Sequence, residues 1–397
     1  MTAISNKRIE SIDILRGIVM VIMALDHVRD FLHIEAFTDD PLNLTTTTPV
    51  LYFTRWITHL CAPIFVLLSG VSIYLQSLRK TKKELTSFLI KRGLWLIIIE
   101  LVIISFAWTF NPNFNFVPLG VFWAIGISML ILALAIHLPF TMILILGCII
   151  VFGHNLLDRL EAAKDFKGGF WWALLHNGKW SPYAYSPNHY LIIIYPFIPW
   201  TGLMMIGYCT GIFFTPNFTS EVRQKILLRI GCTLILLFAI LRFINVYGDP
   251  VAWSQQKNGL YTFLSFMNVN KYPPSLLYLS ITIGIAFILL SIIEKYKNRF
   301  TDTVSIFGRT AFFYYIVHFF IIHLFLTIVF YAQGHTTQEA LDSAKNIPFL
   351  FALPGNGFSL LGIYCIWICL VIALYPLCKW YDTYKTKNKH IWWLSYL

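Results

Sequence analysis

Charge is scarce in this chain, and paired cysteines are missing. Only 12% of its 397 residues are Asp, Glu, Lys or Arg, while 57% are hydrophobic. Mean hydropathy is +0.68. So little charge over such a length excludes both a soluble globular domain and a disordered chain. The seven cysteines (Cys61, Cys148, Cys209, Cys232, Cys365, Cys369 and Cys378) contain no CxxC pair and lie in or beside apolar runs. They read as packing residues and supply neither a thiolate metal site nor a disulfide framework. There is no internal repeat of fixed period and no low-complexity linker. A cleavable signal peptide is not expected, because Lys7 and Arg8 lead into a full-length apolar run that carries charges of its own. The net charge of +11 calls for no nucleic acid. Most of the excess lies beside the ends of apolar runs, where it sets orientation and meets anionic lipid head groups.

What is present is a series of ten apolar runs of helix length, roughly 11–33, 51–78, 86–109, 117–137, 139–156, 190–215, 225–247, 274–294, 303–331 and 348–378. They predict an all-α polytopic integral membrane protein of about ten transmembrane helices, or eleven, forming one domain over 1–397. The fifth run is weak enough to be re-entrant. Threading ten spans puts 19 Lys and Arg residues on the side of the N-terminus and 9 on the other, with Arg16 and Arg55 inside spans. By the positive-inside rule both termini are then cytoplasmic. The C-terminal KWYDTYKTKNKHIWWLSYL reads as an interfacial segment. External loops are expected at roughly 157–189, 248–273 and 332–347. The first is rich in Trp, Tyr, Gly and Asn, side chains that stack on sugars and also decorate membrane interfaces. In the second, Lys271 and Tyr272 precede a double proline. There Lys271 either meets substrate or is a plain loop charge.

Ionisable groups within spans cost about 2.5–3.5 kcal/mol each on insertion scales, so each needs a reason. Arg16 and His27 share the first run, eleven residues apart. That spacing is three helical turns and about 20°, with a rise of about 16 Å. Both lie on one stripe, the guanidinium near one membrane face and the imidazole well toward the other. Asp13 stands three residues before Arg16, and a local ion pair is the simplest reading. The run ends with Asp26, His27 and, six residues on, His33. The second run opens with Arg55 and His59, at i,i+4 spacing near the same outer surface. Glu100 falls mid-way along the third run and is expected to pair with an arginine. His318 and His323 lie about 140° apart on their helix and make a poor metal clip, so no metal is expected. No two histidines show obvious register across spans, which argues against haem. An imidazole suits proton abstraction near neutral pH, and a guanidinium suits phosphates, of which coenzyme A brings several. These features admit acyl transfer across a membrane. They equally admit proton-coupled transport, and a purely structural imidazole is a third reading of His27.

The run RIESIDILRGIVMVIMALDHVRDFLH, followed by RWITHLCAPIFVLLSGVSIYL, resembles the start of the heparan-α-glucosaminide N-acetyltransferase catalytic family. YPFIPWTGLMMIGYCTGIFF, KYPPSLLYLSITIGI and FGRTAFFYYIVHFFIIH resemble later segments of its bacterial members. The N-terminal pattern is also similar to the wider transmembrane acyltransferase superfamily, including O-acyltransferases that decorate bacterial polysaccharides. Their Arg-x10-His spacing matches Arg16 and His27, and their FxxxSG block with following basic residues matches Phe65, Ser69, Gly70, Lys91 and Arg92. The resemblance implies a cytosolic acyl-CoA donor, with acetyl the expected group, and a sugar or amino-sugar acceptor of the cell envelope on the extracytoplasmic side. It implies the bacterial inner membrane and a homodimer. Arg16, Lys91, Arg92 and Ser69 would meet acyl-CoA, and Lys271 and Tyr272 the acceptor. His27 would be the base, with His33 second. Asp26 would set the His27 tautomer, and Arg55 or His59 would orient the ring or stabilise an oxyanion. One departure matters. The lysosomal heparan enzyme has Asn where His27 stands and Asp where His59 stands, so amino-sugar specificity is not carried over. The alternative is a transporter or flippase for a small solute or lipid-linked sugar. It predicts an inverted repeat with broken helices, and no such repeat is seen.

Overall fold

The computed structural model describes residues 9–345, 347–391 and 394; Lys7, Arg8 and the end of the C-terminal segment lie outside them. The chain opens with α1 (Glu10–Leu32), α2 (Pro49–Ile57), a 3-10 turn (Thr58–Leu60) and α3 (Cys61–Ser77). Next come α4 (Lys82–Ile99), a wide π turn (Glu100–Ile104), α5 (Ser105–Thr109), β1 (Phe116–Leu119), α6 (Val121–Ala135) and α7 (Phe140–Gly153). The short α8 (Leu156–Glu161), α9 (Phe170–Leu175), β2 (Ser181–Ser186) and β3 (His189–Ile193) precede α10 (Phe197–Thr210) and α11 (Ser220–Ile244). The last part holds α12 (Gly259–Met267), α13 (Leu276–Ile293), α14 (Arg299–Arg309), α15 (Ala311–Ala332), α16 (Thr337–Ser343) and α17 (Leu360–Lys387).

Seven helical stretches among the described residues are long and apolar enough to cross a membrane. They are Pro49–Ser77, Phe140–Glu161, Phe197–Phe214, Ser220–Ile244, Leu276–Ile293, Ala311–Ala332 and Leu360–Lys387. That is fewer than the ten expected. α6 is apolar but shorter. α1 is long but carries Glu10, Asp13, Arg16, Asp26, Arg29 and Asp30, and α4 begins among lysines. Helix starts are set by local chemistry. The Thr81 hydroxyl and the Glu84 carboxylate form a capping box at α4, Asn298 and Thr301 do the same at α14, and Thr219, Ser275 and Ser359 cap α11, α13 and α17.

α1 is the axis of the bundle. α3, α13, α14, α15 and α17 pack on it, and Leu15, Val19, Met20, Ala24, Val28 and Phe31 are buried against them. We call the end where α1 begins the near end and the other the far end. Between helices in lipid there is no hydrophobic driving force, so close packing relies on small residues. α1 and α14 cross at Gly17 and Gly308. A Cβ on Gly308 would lie 1.8 Å from the Asp13 carbonyl oxygen, and one on Gly17 would lie 2.0 Å from that of Val304.

Several expected spans change shape. The run 303–331 is two helices, parted at Thr310 (φ −112°, ψ 24°), because α14 lies along α1 before α15 turns away. The run 348–378 becomes helical only at Leu360, since Pro354, Gly355 and Gly357 hold the preceding stretch in loop. The runs at 117 and 190 begin as strands. β3 sits between β1, parallel to it, and β2, antiparallel. FVPL and HYLII are short apolar stretches whose period cannot separate strand from helix. The expected loops 157–189, 248–273 and 332–347 therefore carry α8 and α9 with the sheet, α12, and α16.

Candidate functional site

α1 delivers Arg16 to the near half and His27 to the far half of the bundle. The Arg16 guanidinium reaches Asp13, as expected, at 3.2 Å, and donates to the Ser72 hydroxyl of α3 at 3.1 Å. His27 is 8% exposed. Its Nδ1 lies 2.7 Å from Nε2 of His318, on α15, and the two rings stack with centroids 5.0 Å apart. His318 Nδ1 in turn lies 2.9 Å from the Tyr314 carbonyl oxygen. Rings of Trp108, Tyr315 and Phe319 close around His27 at 5.8, 6.0 and 4.1 Å. Two histidines of different helices thus do face each other, contrary to the sequence reading. Nothing in a single sequence could have paired residues 27 and 318, because their register depends on how α1 and α15 cross.

Asp26 does not orient His27. Its carboxylate accepts from Arg55 Nη1 at 2.8 and 3.0 Å and from Arg29 at 2.8 Å; Arg29 also bonds Asp30. Arg55 is committed to Asp26 and to the Thr58 hydroxyl. His59 is buried and, among the described residues, has no hydrogen-bond partner on either ring nitrogen, and its carbonyl accepts from the Tyr278 hydroxyl at 2.8 Å. His33 ends α1 and accepts from the Glu35 amide at 3.3 Å, in the far-end loop where its backbone bridges Phe358. Among the described residues Glu100 pairs with no arginine. Its carboxylate accepts from the Gly120 and Phe122 amides at 3.2 and 2.9 Å, at the start of α6. A helix N-terminus offers unpaired N–H groups to an anion. A Cβ at Gly120 would lie 2.5 Å from that carboxylate, so a larger residue there would have to displace it.

Two cavities approach His27 from opposite ends. The near-end one, about 520 Å³, is lined by the cations Arg16, Lys80, Arg92, Arg309 and Lys385, by Ser69, and deeper by Met23, Phe122 and Tyr315. Arg309 is also paired with Asp382, at 2.8 Å. Lys91 is exposed and is not part of this wall, unlike its neighbour Arg92; one residue on a helix is about 100° of rotation. A wider cleft of about 1090 Å³ adjoins at Arg16, Ser72 and Gln76. The far-end cavity, about 280 Å³, is walled by Trp108, Phe116, Trp180, Ile192 and Phe349. Trp108 belongs to it and Tyr315 to the near-end cavity, and both rings abut His27. His27 itself lines neither cavity and meets each through one of these rings.

Neither Lys271 nor Tyr272 lines the far cavity, but Tyr272 packs against its wall residue Trp180 at 6.0 Å and against Tyr195 at 5.3 Å. Lys271 is 9% exposed, with its ammonium 5.1 Å from the Tyr272 ring centroid. Their loop is built around buried Arg242, which donates to the carbonyls of Val251, Ser265, Phe266 and Asn268. Asp249 accepts from the Asn270 amide and the Ser275 hydroxyl. Burial pushes the Asp249 carboxyl up, against the pull of those hydrogen bonds. As for metals, Asp158, Glu161 and His176 bring ligand atoms within 4.8 Å of one another. They are joined by their own hydrogen bonds: His176 to Glu161 at 2.7 Å, Trp172 to Glu161 at 2.9 Å and Asn155 to Asp158 at 2.7 Å.

The family model described as heparan-alpha-glucosaminide N-acetyltransferase, catalytic, matches residues 8–242. The chain belongs to this family. The matched part runs from α1 almost to the end of α11 and contains Arg16, Asp26, His27, Arg55, His59 and Arg92; His318 and Lys271 lie beyond it. The heparan-alpha-glucosaminide N-acetyltransferase family implies transferase activity, and with the apolar helices it points to a membrane acetyltransferase. In general the family uses acetyl-CoA as donor and a sugar as acceptor. Among curated proteins no match is found.

Proposed function

We propose that this protein is a membrane acyltransferase that moves an acyl group, acetyl in the first instance, from cytosolic acyl-CoA to a sugar or amino sugar on the extracytoplasmic side. The observation that carries this reading is that His27 abuts one wall ring of each of two cavities, Tyr315 of the basic one and Trp108 of the aromatic one. In this reading ten helices cross the membrane: the seven apolar stretches together with α1, α4 through α5, and α6. Both termini face the cytoplasm of a bacterium, and the near end is cytoplasmic. Arg16 and Arg92 hold the phosphates of coenzyme A, since guanidinium groups suit phosphate oxygens. Ser69 lines the path of the pantetheine arm. The thioester reaches Tyr315, and the acceptor enters past Trp180, Tyr272 and Lys271. Asp26, clamped by Arg29 and Arg55, fixes the α1–α2 junction beside the reacting centre.

The chemistry needs a base within reach of the acceptor proton. His27 takes that proton as the acceptor oxygen or nitrogen attacks the thioester carbon. The tetrahedral intermediate then collapses, the C–S bond breaks with its electron pair on sulfur, and the proton passes to the thiolate. The test is calorimetric binding of acetyl-CoA to purified protein, with release of free coenzyme A followed in the same samples. Arg16→Ala should weaken binding at least about tenfold, and His27→Ala should bind normally but lose turnover. Full turnover by His27→Ala refutes the base assignment. Absence of acyl-CoA binding up to millimolar concentration, with acetyl and longer acyl donors, refutes the acyltransferase reading and favours a transporter.

A further inference from the structure

The hydrogen bonds behind His27 have a direction. A backbone carbonyl can only accept, so His318 Nδ1, 2.9 Å from the Tyr314 oxygen, carries a hydrogen. In a neutral imidazole the other nitrogen is then an acceptor. His318 Nε2 therefore receives the hydrogen of His27 Nδ1 across 2.7 Å. That leaves the lone pair of His27 on Nε2, since the hydrogen bond to His318 engages Nδ1. Both rings are clamped: His318 is fully buried and stacks on Tyr314, and Phe319 lies 4.1 Å from His27. Among the described residues no carboxylate hydrogen-bonds to either ring, and Asp26 is bound by Arg29 and Arg55.

We propose that His318 is a positioning residue that fixes His27 in the tautomer with its lone pair on Nε2 and shares the proton His27 takes from the acceptor. This rests on the acyltransferase reading above. As the acceptor proton arrives at His27 Nε2, the hydrogen on His27 Nδ1 shifts toward His318 Nε2, and the positive charge spreads over two imidazoles. When the C–S bond breaks, the hydrogen shifts back and His27 Nε2 passes its proton to sulfur. The dyad ends as it began, and acyl-CoA plus acceptor become acylated acceptor plus the free thiol. A second imidazole ending on a carbonyl does here what a carboxylate does behind many catalytic histidines, without adding an anion to the membrane interior.

The experiment compares wild type, His27→Ala, His318→Phe and His318→Gln in nanodiscs, measuring acetyl-CoA consumption, donor affinity and the ¹⁵N resonances of the histidine rings. Glutamine can still accept from His27 and donate to the Tyr314 carbonyl, whereas phenylalanine can do neither. His318→Phe should lower kcat roughly 100-fold with KM and donor affinity within about threefold of wild type. His318→Gln should recover at least about tenfold of that loss. In wild type the His27 signals, assigned by their absence in His27→Ala, should show Nδ1 protonated and Nε2 bare; in His318→Phe they should show mixed tautomers. A kcat for His318→Phe within about threefold of wild type, or a wild-type His27 protonated on Nε2, overturns the proposal. If His318→Phe does not fold, the wild-type tautomer and the His318→Gln rate decide. Wild type inert toward acetyl-CoA would sink the acyltransferase reading instead, while the ring signals would still report the dyad.

Discussion

Replacing Gly308 by alanine should damage both stability and donor binding, and the geometry says why. A Cβ there would lie 1.8 Å from the Asp13 carbonyl oxygen, 2.8 Å from its carbon and 2.9 Å from the Gly17 amide, where real Cβ atoms essentially never come under 3.0 Å. Every one of these atoms is α1 backbone, so no side chain can swing aside. The helices must part by about 1.2 Å at their crossing, a strain of the kind that costs about 1–3 kcal/mol when a packed interior is overfilled. Gly308 and its neighbour Arg309 line the near-end cavity opposite Arg16. The same displacement therefore moves two cations of the donor site relative to each other. Gly169→Ala is the control, since its Cβ would meet nothing within 4 Å. Thermal unfolding of the purified variants, read beside acetyl-CoA affinity, gives both numbers. Gly308→Ala should melt clearly below Gly169→Ala and bind donor at least about tenfold more weakly, given that a shift of about 1 Å can cost 100-fold in a positioned site. Equal melting and equal affinity would refute the close crossing of α1 and α14 and the placement of the donor beside it.

Two further expectations follow from the far end. Arg242→Met removes a buried guanidinium from four carbonyl oxygens and from its charge partner Asp249, 3.9 Å away, and should destabilise the 248–275 loop by about 3–5 kcal/mol. Hydrogen exchange should quicken there while acyl-CoA binding holds, and unchanged exchange would dismiss Arg242 as the loop's anchor. At α16, hydrogen bonding from the Thr336 amide to Glu339 lowers that carboxyl below its ordinary value of 4.5. A lowered carboxyl stabilises the fold above its unfolded value and loses that contribution as pH falls through the folded one. The protection of the Thr336 amide, the slowing of its exchange relative to that of an unstructured peptide at the same pH, should therefore fall in acid below pH 4.5 in wild type. Glu339→Gln should show less of this dependence; an identical profile in both would rule out the carboxylate as the titrating cap.

The sequence made the polar stripe of α1 readable because helical period alone relates Arg16 to His27, and the Asp13–Arg16 pair is equally local. The partners of these residues were another matter. His318 is 291 positions from His27, and its own helix gives no sign of the face it offers to α1. Glu100 answers to backbone amides of α6, which have no letter in a sequence. Lys91 and Arg92 look alike as a basic pair, and only the packing of α4 turns one inward. The strands at 116–119 and 189–193 were too short for their period to speak.

The π turn at Glu100–Ile104 has a consequence for how one helix can serve both cavities. Leu96 lines the basic cavity and Trp108 the aromatic one, twelve residues further on. On a regular helix those twelve steps would leave the two side chains about 120° apart, with Trp108 turned away from His27. The wide turn absorbs one extra residue, which brings them to within about 20°. Length along the axis and phase around it are thereby set separately, as on a vernier. A helix that kept all twelve residues but lost the wide turn would keep its hydrophobic composition and its span, yet rotate the lid of the far cavity off the histidine.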